Sequence, residues 1–137
     1  MITRYGVNLR EIKDSIEIST HSLKERFESR SSGCCSRHFI AVCDGLEIAF
    51  VTLDLFSRQS HMFLYALFVP KELRQRGFGT NVLLEVENRA KDWNYKRVFL
   101  HPKPIDEGIE IGQLKAWYST RGYSSVAGQN DLMEKAL

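Results

Sequence analysis

The sequence lacks long apolar runs and any strong imbalance of charge. None of its 137 residues lies in a stretch near the roughly 20 apolar residues that a transmembrane helix needs. The first residues also lack the apolar core of a signal peptide. Nineteen basic residues stand against seventeen acidic ones, a net charge of +2, which does not by itself predict nucleic-acid binding. We therefore expect a cytoplasmic protein that binds neither membranes nor nucleic acids.

Cysteine is scarce and unsuited to a disulfide framework. The three cysteines, Cys34, Cys35 and Cys43, are odd in number and have no C-x-x-C spacing. We predict free thiols and no metal site. His101 beside Pro102 resembles a metal ligand in type only, because no second ligand lies at a useful spacing.

What the chain does contain is typical of one globular domain. Hydrophobic residues make up 43% and charged residues 26%, which is ordinary for a soluble fold. The length is sufficient to bury a core, and there are no repeats, linkers or low-complexity segments. We predict a single domain over residues 1–137.

The first half of the chain predicts a short strand, a helix and then three further strands. Alternation of Tyr5, Val7 and Leu9 indicates a short strand, and apolar residues then follow at helical spacing, at Ile12, Ile16, Leu23 and Phe27. After a polar break at 29–37, two β-rich runs are joined by Asp44–Gly45, a two-residue hairpin signal. The apolar run His61–Val69 then predicts a strand buried on both faces.

The second half alternates helix and strand. An apolar stripe follows from Thr80, with members Val82, Leu83, Val86, Ala90 and Trp93. A short strand, Lys96–Leu100, precedes a short helix that Gly122 can end, and two closing strands follow. This order predicts an α/β (α+β) fold with a mixed, mostly antiparallel central sheet, helices on its sides and one parallel crossover.

A glycine-containing loop, RQRGFGT (Arg74 to Thr80), joins the apolar strand to the following helix. A helix N-terminus offers unpaired N–H groups and a partial positive charge. Gly77 and Gly79 let an anion approach the backbone, and the arginines add charge, so the loop predicts a phosphate site. It is not a P-loop, since GK[ST] is absent, and Val82 stands where a dinucleotide fingerprint has its third glycine.

The loop and its setting resemble the GNAT superfamily of N-acetyltransferases. The pattern R-x-x-G-x-G, after the residues LFVPKEL, resembles that family's acetyl-CoA loop, [QR]-x-x-G-x-[GA]. AWYSTRGY, with Tyr118 four residues before Gly122, resembles its late Tyr-x-x-x-Gly-Phe signature, and LMEKAL its last strand. The resemblance covers about residues 39–137.

The resemblance implies an acetyl-CoA-dependent enzyme. It would transfer acetyl to a primary amine of a small molecule or protein by direct attack in a ternary complex. The strand before the loop would splay from Lys96–Leu100, and the pyrophosphate would lie on the loop amides. The implied cofactor-binding residues are Leu67, Phe68, Val69, Arg74, Gln75, Arg76, Gly77, Phe78, Gly79 and Thr80.

The resemblance also implies catalytic roles. Tyr118 matches the family's general acid for the leaving thiol, and a phenol suits that proton transfer. His61 is the residue that best matches the position of the family's glutamate base. A histidine can serve as a base because it relays protons near neutral pH. Its rivals are Asp54, Glu25 and a water chain ending on Tyr65. One departure is that the family's asparagine seven residues before the tyrosine is Ile111 here.

Other functions remain open at this point. The same loop would serve a non-catalytic acetyl-CoA-binding sensor module. Nucleic-acid binding through Arg74 and Arg76 is a third hypothesis, although a nucleotide cofactor explains their charge better. We expect acetyl-CoA and an amine-bearing acceptor as the ligands, and the resemblance leaves a homodimer open.

Overall fold

The computed structural model describes residues 6–30, 33, 35–56, 60–104 and 109–137. Within these ranges the chain forms seven strands and three α-helices. The strands are β1 (Val7–Ile12), β2 (Ser36–Cys43), β3 (Leu46–Leu55), β4 (His61–Phe68), β5 (Arg97–Leu100), β6 (Ser124–Ser125) and β7 (Met133–Ala136). The helices are α1 (His21–Glu28), α2 (Phe78–Asp92) and α3 (Ile111–Ser119).

All seven strands belong to one mixed sheet in the order β1-β2-β3-β4-β5-β7-β6. Each neighbouring pair is antiparallel except β4 and β5, which are parallel and connected through α2. The parallel pairing runs from His61–Arg97 to Leu64–Leu100, whereas β4 continues to Phe68. The predicted mostly antiparallel sheet and its splayed parallel pair are therefore confirmed.

The β2–β3 hairpin forms where the sequence predicts it. Its two turn residues, Asp44 and Gly45, have φ angles of 51° and 79°. Positive φ at both positions is the requirement of a type I′ turn, whose twist matches that of the flanking strands. This turn sets the register of the β2–β3 pair, in which Cys43 is opposite Leu46.

β4 contains a bulge at Tyr65. Thr52 pairs with Ala66 and Leu53 with Leu64, so Tyr65 has no partner on β3. An extra residue reverses the alternation of side chains along a strand, and Tyr65 is 50% exposed. The prediction that this strand is buried on both faces is therefore wrong for its second half, which borders an open cleft.

The helices cover opposite faces of the sheet. Adjacent β3 residues Phe50 and Val51 belong to different apolar clusters, as expected for side chains that alternate across a strand. Leu23 and Phe27 of α1 join Phe50, whereas α2 and the aromatic residues of α3 contact the Val51 side. Two cores result, one on each face.

The N-terminal helix is shorter than the apolar spacing predicts. Ile12 ends β1, Ile16 is 81% exposed, and α1 begins only at His21. Asp14 accepts a hydrogen bond from the Ile16 N–H (3.1 Å), and the Glu17 carboxylate accepts one from the Asp14 N–H (2.8 Å). This local capping holds a separate 3₁₀ turn at Ser15–Glu17. The regular spacing of Ile12 and Ile16 was therefore a coincidence.

Several sequence predictions concern what the fold does not contain. Cys35 and Cys43 are not joined by a disulfide bond, and Cys34 lies outside the described residues, as does Tyr5. Among the residues that the structure describes, no helix is long and apolar enough to cross a membrane. No cluster of three or more metal-ligating side chains occurs in those residues either.

Glu47 on β3 anchors the start of α1. Its carboxylate accepts hydrogen bonds from the N–H groups of Ser19 (3.1 Å) and Thr20 (2.7 Å) and from Arg10 Nη2 (3.2 Å). Thr20 precedes the helix, and its own side chain makes no capping hydrogen bond. The buried carboxylate thus replaces a local cap and places negative charge at the positive end of the helix.

We expect Glu47→Gln to lower the free energy of unfolding by about 1.5–3 kcal/mol, the range for hydrogen bonds to a charged group. Burial would raise the pKa of Glu47, but the hydrogen bonds from Ser19, Thr20 and Arg10 outweigh it and lower the pKa below 4.5. A lowered pKa stabilises the folded state above the ordinary carboxyl pKa, and this contribution disappears as the pH falls through the folded value.

Denaturant unfolding at neutral and acidic pH measures this difference. The difference in the free energy of unfolding between wild type and Glu47→Gln should become smaller at acidic pH. Glu28→Gln, which removes an exposed carboxylate from the same helix, is the matched control. A gap that is independent of pH would contradict an ionised Glu47.

Candidate active site

A cleft of about 510 Å³ opens where β4 and β5 separate. Its walls are the second half of β4, the loop that follows it, α3 and the segment after β5. The volume lies in the usual range of ligand sites, about 300–1,000 Å³. The predicted cofactor residues that line it are Leu67, Phe68, Val69, Arg74, Gln75, Gly77, Gly79 and Thr80. Tyr118 also lines it, whereas Arg76, Phe78 and His61 do not.

The β4 edge of the cleft has backbone groups available to a ligand. Beyond Leu64, β4 has no strand beside it on the β5 side within the described residues, although β3 still pairs with its other edge. Main-chain N–H and C=O groups require partners when they are buried. A ligand lying along Tyr65–Phe68 can supply them.

The two loop glycines have different structural roles. Gly77 has a φ of 84°, and a Cβ there would meet no atom within 4 Å, so its backbone conformation is the reason for glycine. A Cβ on Gly79 would lie 3.3 Å from Cζ2 of Trp117, so a larger residue at this position would crowd the Trp117 ring. Gly79 thereby lets α3 approach the start of α2.

The N-terminus of α2 suits an anion. The helix has no side-chain cap and no acidic residue in its first turn, and its first internal bond is Asn81 N–H to Gly77 O (3.2 Å). The earlier N–H groups have no partner inside the helix. Gly77, Gly79 and Thr80 line the cleft, so these groups and the helix dipole act together there.

Arg121 is a site residue that the sequence did not reveal. Its Nε and Nη2 donate to Thr80 Oγ1 (3.0 and 2.7 Å), and its Nη1 donates to the Trp117 carbonyl (2.8 Å). The guanidinium lies 4.0 Å from the Trp117 ring centre. Among the described residues it has no carboxylate partner, and burial lowers its pKa. A positive charge is thus held beside the α2 N-terminus without a counter-charge.

Arg74 fastens the loop to the strand that precedes it. Its Nε donates to the Val69 carbonyl (2.9 Å), and its guanidinium lies 5.7 Å from the centre of the Phe68 ring. These contacts span the turn between β4 and α2. Arg74 therefore shapes the loop as well as adding charge to the cleft.

Tyr118 is buried on α3, and its hydroxyl has no hydrogen-bond partner among the described residues. The side chain is 7% exposed, and its ring contacts those of Trp117 (4.9 Å between centres) and Tyr123 (5.6 Å). We find no hydrogen bond from its hydroxyl to any described residue. Burial raises the pKa of Tyr118 to about 12. The phenol therefore stays protonated near neutral pH and is free to donate to a ligand.

His61 is not brought together with Tyr118. It begins β4, roughly 20 Å along the strand from Leu67 at about 3.3 Å per residue. Its ring contacts Phe99 (4.7 Å between centres) and Phe56 (6.1 Å). Its assignment as the base stays a prediction that this placement does not favour.

The rival bases differ in position. Asp54 accepts a hydrogen bond from Ser36 Oγ (2.5 Å), Glu25 pairs with His21 (3.0 Å), and neither lines the cleft. Tyr65 does line it. Ile111, at the position of the family's asparagine, is 41% exposed and lies outside the lining.

His101 lines the cleft directly after β5. Its Nδ1 is 3.0 Å from the Asp131 carbonyl oxygen. A carbonyl only accepts hydrogen bonds, so Nδ1 carries the proton and Nε2 of the neutral ring is a proton acceptor. The sequence predicted no role for this residue, since a metal ligand was rejected for want of a second ligand. Its contact with Asp131, 30 positions away, could not be predicted.

Comparison with known proteins defines the class of this fold and site. The sequence model of the Acetyltransferase (GNAT) family matches residues 7–107, so the chain belongs to this family. The predicted resemblance is confirmed, and with it the acetyl-CoA cofactor that this family uses. No curated protein matches the chain.

Solved structures share the fold at low sequence identity. A GNAT family acetyltransferase from Elizabethkingia anophelis with acetyl-CoA bound has a TM-score of 0.64 and 14% identity, with 96% of this chain and 98% of that chain covered. The PaiA N-acetyltransferase of Thermoplasma acidophilum, in complex with coenzyme A, has a TM-score of 0.58 and 19% identity over 85% and 68% of the two chains. An acetyltransferase from Thermus thermophilus has a TM-score of 0.67 and 12% identity over 96% and 97%.

We expect Arg121→Gln to weaken acetyl-CoA binding by at least about tenfold, as for the loss of one hydrogen bond to a charged group. Calorimetry measures the affinity. Affinity for S-acetylpantetheine, which lacks the phosphates, should change little. Lys91→Gln removes the same charge at the far end of α2 and is the control. Equal weakening for both ligands would mean that Arg121 acts by packing against Trp117.

Proposed function

We propose that the protein is an acetyl-CoA-dependent N-acetyltransferase that acetylates a primary amine by direct attack in a ternary complex. The observation that carries the proposal is the buried phenol of Tyr118 on the cleft between the separated strands, which has no hydrogen-bond partner in the described part of the chain. Acetyl-CoA supplies an acetyl group activated as a thioester. The α2 N-terminus and Arg121 bind its phosphates, and the free edge of β4 orients its pantetheine chain.

A second pocket of about 270 Å³ lies on the α1 face of the sheet. Five residues line both it and the cleft: Tyr65, Ala66, His101, Lys103 and Pro104. The donor and the acceptor can therefore approach from opposite faces and meet at the gap between β4 and the segment after β5. This arrangement supports direct attack without an acetylated enzyme.

His101 at this junction and Tyr118 on the cleft supply the proton transfers. An alkylamine must lose a proton before it attacks, and His101 Nε2 is a free acceptor beside the shared gap. Backbone N–H groups along the β4 edge stabilise the developing charge on the carbonyl oxygen. Tyr118 donates the proton that the leaving group takes up, from a position where burial keeps the phenol neutral.

The alternative is a non-catalytic acetyl-CoA-binding module of the same fold. The loop, Arg121 and the β4 edge would serve such a module equally well. A sensor has no use for the acceptor pocket or for a proton donor at the junction. The second pocket therefore favours the enzyme.

We expect Tyr118→Phe to lower turnover by at least about tenfold, since a general acid contributes about a hundredfold to ten-thousandfold. The ring and its contacts remain, and the lost hydroxyl has no partner in the described structure, so the melting temperature should hardly change. Acetyl-CoA affinity should also be retained. Release of the coenzyme A thiol measures turnover.

Tyr95→Phe removes a hydroxyl outside the cleft and is the matched control. Near-normal turnover in Tyr118→Phe would make Tyr118 a packing residue. Parallel loss of turnover and of cofactor affinity would mean that the hydroxyl mainly holds the cofactor. Absence of turnover in the wild type with every amine, despite acetyl-CoA binding, would favour the sensor module.

We expect His101→Asn to lower kcat/KM by at least about tenfold, since a general base contributes about a hundredfold to ten-thousandfold. The asparagine amide can still donate to the Asp131 carbonyl, so the local structure is preserved while the proton acceptor is lost. Acetyl-CoA affinity and the melting temperature should be retained. Release of the coenzyme A thiol measures the rate, and an unchanged kcat/KM in the variant would exclude His101 as the base and leave Tyr65 and bound water as the candidates.

A further inference from the structure

The pocket on the α1 face has an unusual charge. Arg26 of α1 and Arg30, two residues after α1 ends, line it together with Lys103 of the segment after β5. No carboxylate is among its described lining residues. The whole chain carries a formal net charge of only +2, so three cations in one small pocket are a strong local excess.

The two guanidinium groups are held in place by aromatic rings. Arg26 lies 4.4 Å from the centre of the Phe68 ring, and Arg30 lies 3.8 Å from that of Phe27. Stacking of this kind leaves the edge of a guanidinium free to donate hydrogen bonds. Neither arginine has a carboxylate partner among the described residues.

Two like charges on one small pocket have an electrostatic cost. Arg26 lies in the last turn of α1, where the helix dipole favours a cation, and Arg30 lies two residues beyond the end of the helix. Arg30 also donates to the Phe27 carbonyl (2.8 Å) and so helps to end α1. Both arginines line the same pocket, so their charges repel each other there. An anion bound between them would offset the repulsion.

The charge also restricts the acceptor. A simple alkylamine or a polyamine is itself cationic and would be repelled by this pocket. An amine that carries an anionic group would be attracted, and positive charge around its amino group would favour the neutral, attacking form. The absence of a carboxylate base from the described lining is consistent with this second effect.

We infer that the acceptor is a small amine bearing a carboxylate or phosphate group, which Arg26 binds together with Arg30 and Lys103. The anionic group lies toward α1, and the amino group lies at the gap beside Tyr65 and His101. This inference rests on the proposed function, because it assigns the substrate class of the same site.

Matched pairs of acceptors test the inference. Glycine is compared with glycinamide, and O-phosphoethanolamine with ethanolamine, each with acetyl-CoA and wild-type protein or Arg26→Gln. We expect Arg26→Gln to lower kcat/KM for the anionic member of a pair by at least about tenfold, mainly by raising KM. A change of this size corresponds to the loss of one charge-assisted hydrogen bond. The neutral member should change by less than about twofold, since it does not use that bond.

The design includes two controls. Lys24→Gln removes one positive charge from α1 at a residue that lines neither pocket, and it should leave both pairs unaffected. Arg26→Lys should restore part of the preference for the anion. The comparison between variants cancels differences in basicity between the members of a pair. The pair that responds identifies the carboxylate or the phosphate as the source of the charge.

Calorimetry with the same probes and coenzyme A in place of acetyl-CoA tests binding without turnover. Binding of an anionic probe that Arg26→Gln abolishes, with no turnover of any amine, would uphold the pocket and overturn the enzymatic proposal. Turnover of neutral or cationic amines that is insensitive to Arg26→Gln would uphold the enzyme and overturn the anionic acceptor. Neither binding nor turnover with any probe would overturn both.

Discussion

The early end of the β4–β5 pairing is the constraint on which the site depends. The ladder stops at Leu64–Leu100, and two residues later the buried Pro102 has no N–H to donate to a neighbouring strand. β4 nevertheless stays in place, because its other edge pairs with β3 as far as Phe68–Phe50. β4 is therefore held in the sheet by one edge while its other edge is open. The glycine loop, α3 and His101 line the cleft beside that open edge.

A buried polar cluster connects α2 to β7 and to the segment after α3. Glu87 of α2 accepts hydrogen bonds from Tyr123 Oη (2.9 Å) and Lys135 Nζ (3.0 Å), and Lys135 also donates to the Arg121 carbonyl (2.9 Å). Burial and the Glu87 charge raise the pKa of Tyr123, so its phenol remains a donor. The helix whose N-terminus faces the cleft is thus tied to the segment that carries Arg121, three residues after Tyr118.

Sequence patterns predicted the features that depend on neighbours in the chain. The Asp44–Gly45 turn, the glycine loop and the start of α2 are encoded by local backbone requirements. The turn forms where expected, and α2 begins at Phe78, two residues before the predicted Thr80. The long-range contacts were not predictable in this way. Thr80 and Arg121 are 41 positions apart, and His101 acquires its tautomer from a carbonyl 30 positions away.

Two errors have a common physical origin. Ile12 and Ile16 have helical spacing, and the strand from His61 has an unbroken apolar run, yet periodicity does not show where an element is interrupted. Asp14 and Glu17 interrupt the first, and the bulge at Tyr65 interrupts the second. The pocket on the α1 face likewise depends on which α1 residues lie against the end of β4, which the sequence does not specify.

The bulge at Tyr65 also makes the chain length of β4 critical. Because one residue is unmatched, the two halves of the strand are out of phase, and Phe68 joins Phe27 and Phe50 while Leu67 lies on the α2 side. Deletion of one residue would bring the halves into phase and exchange these faces. Phe68 would then leave the guanidinium of Arg26. A single-residue deletion here would therefore change the residues that line both the cleft and the pocket on the α1 face.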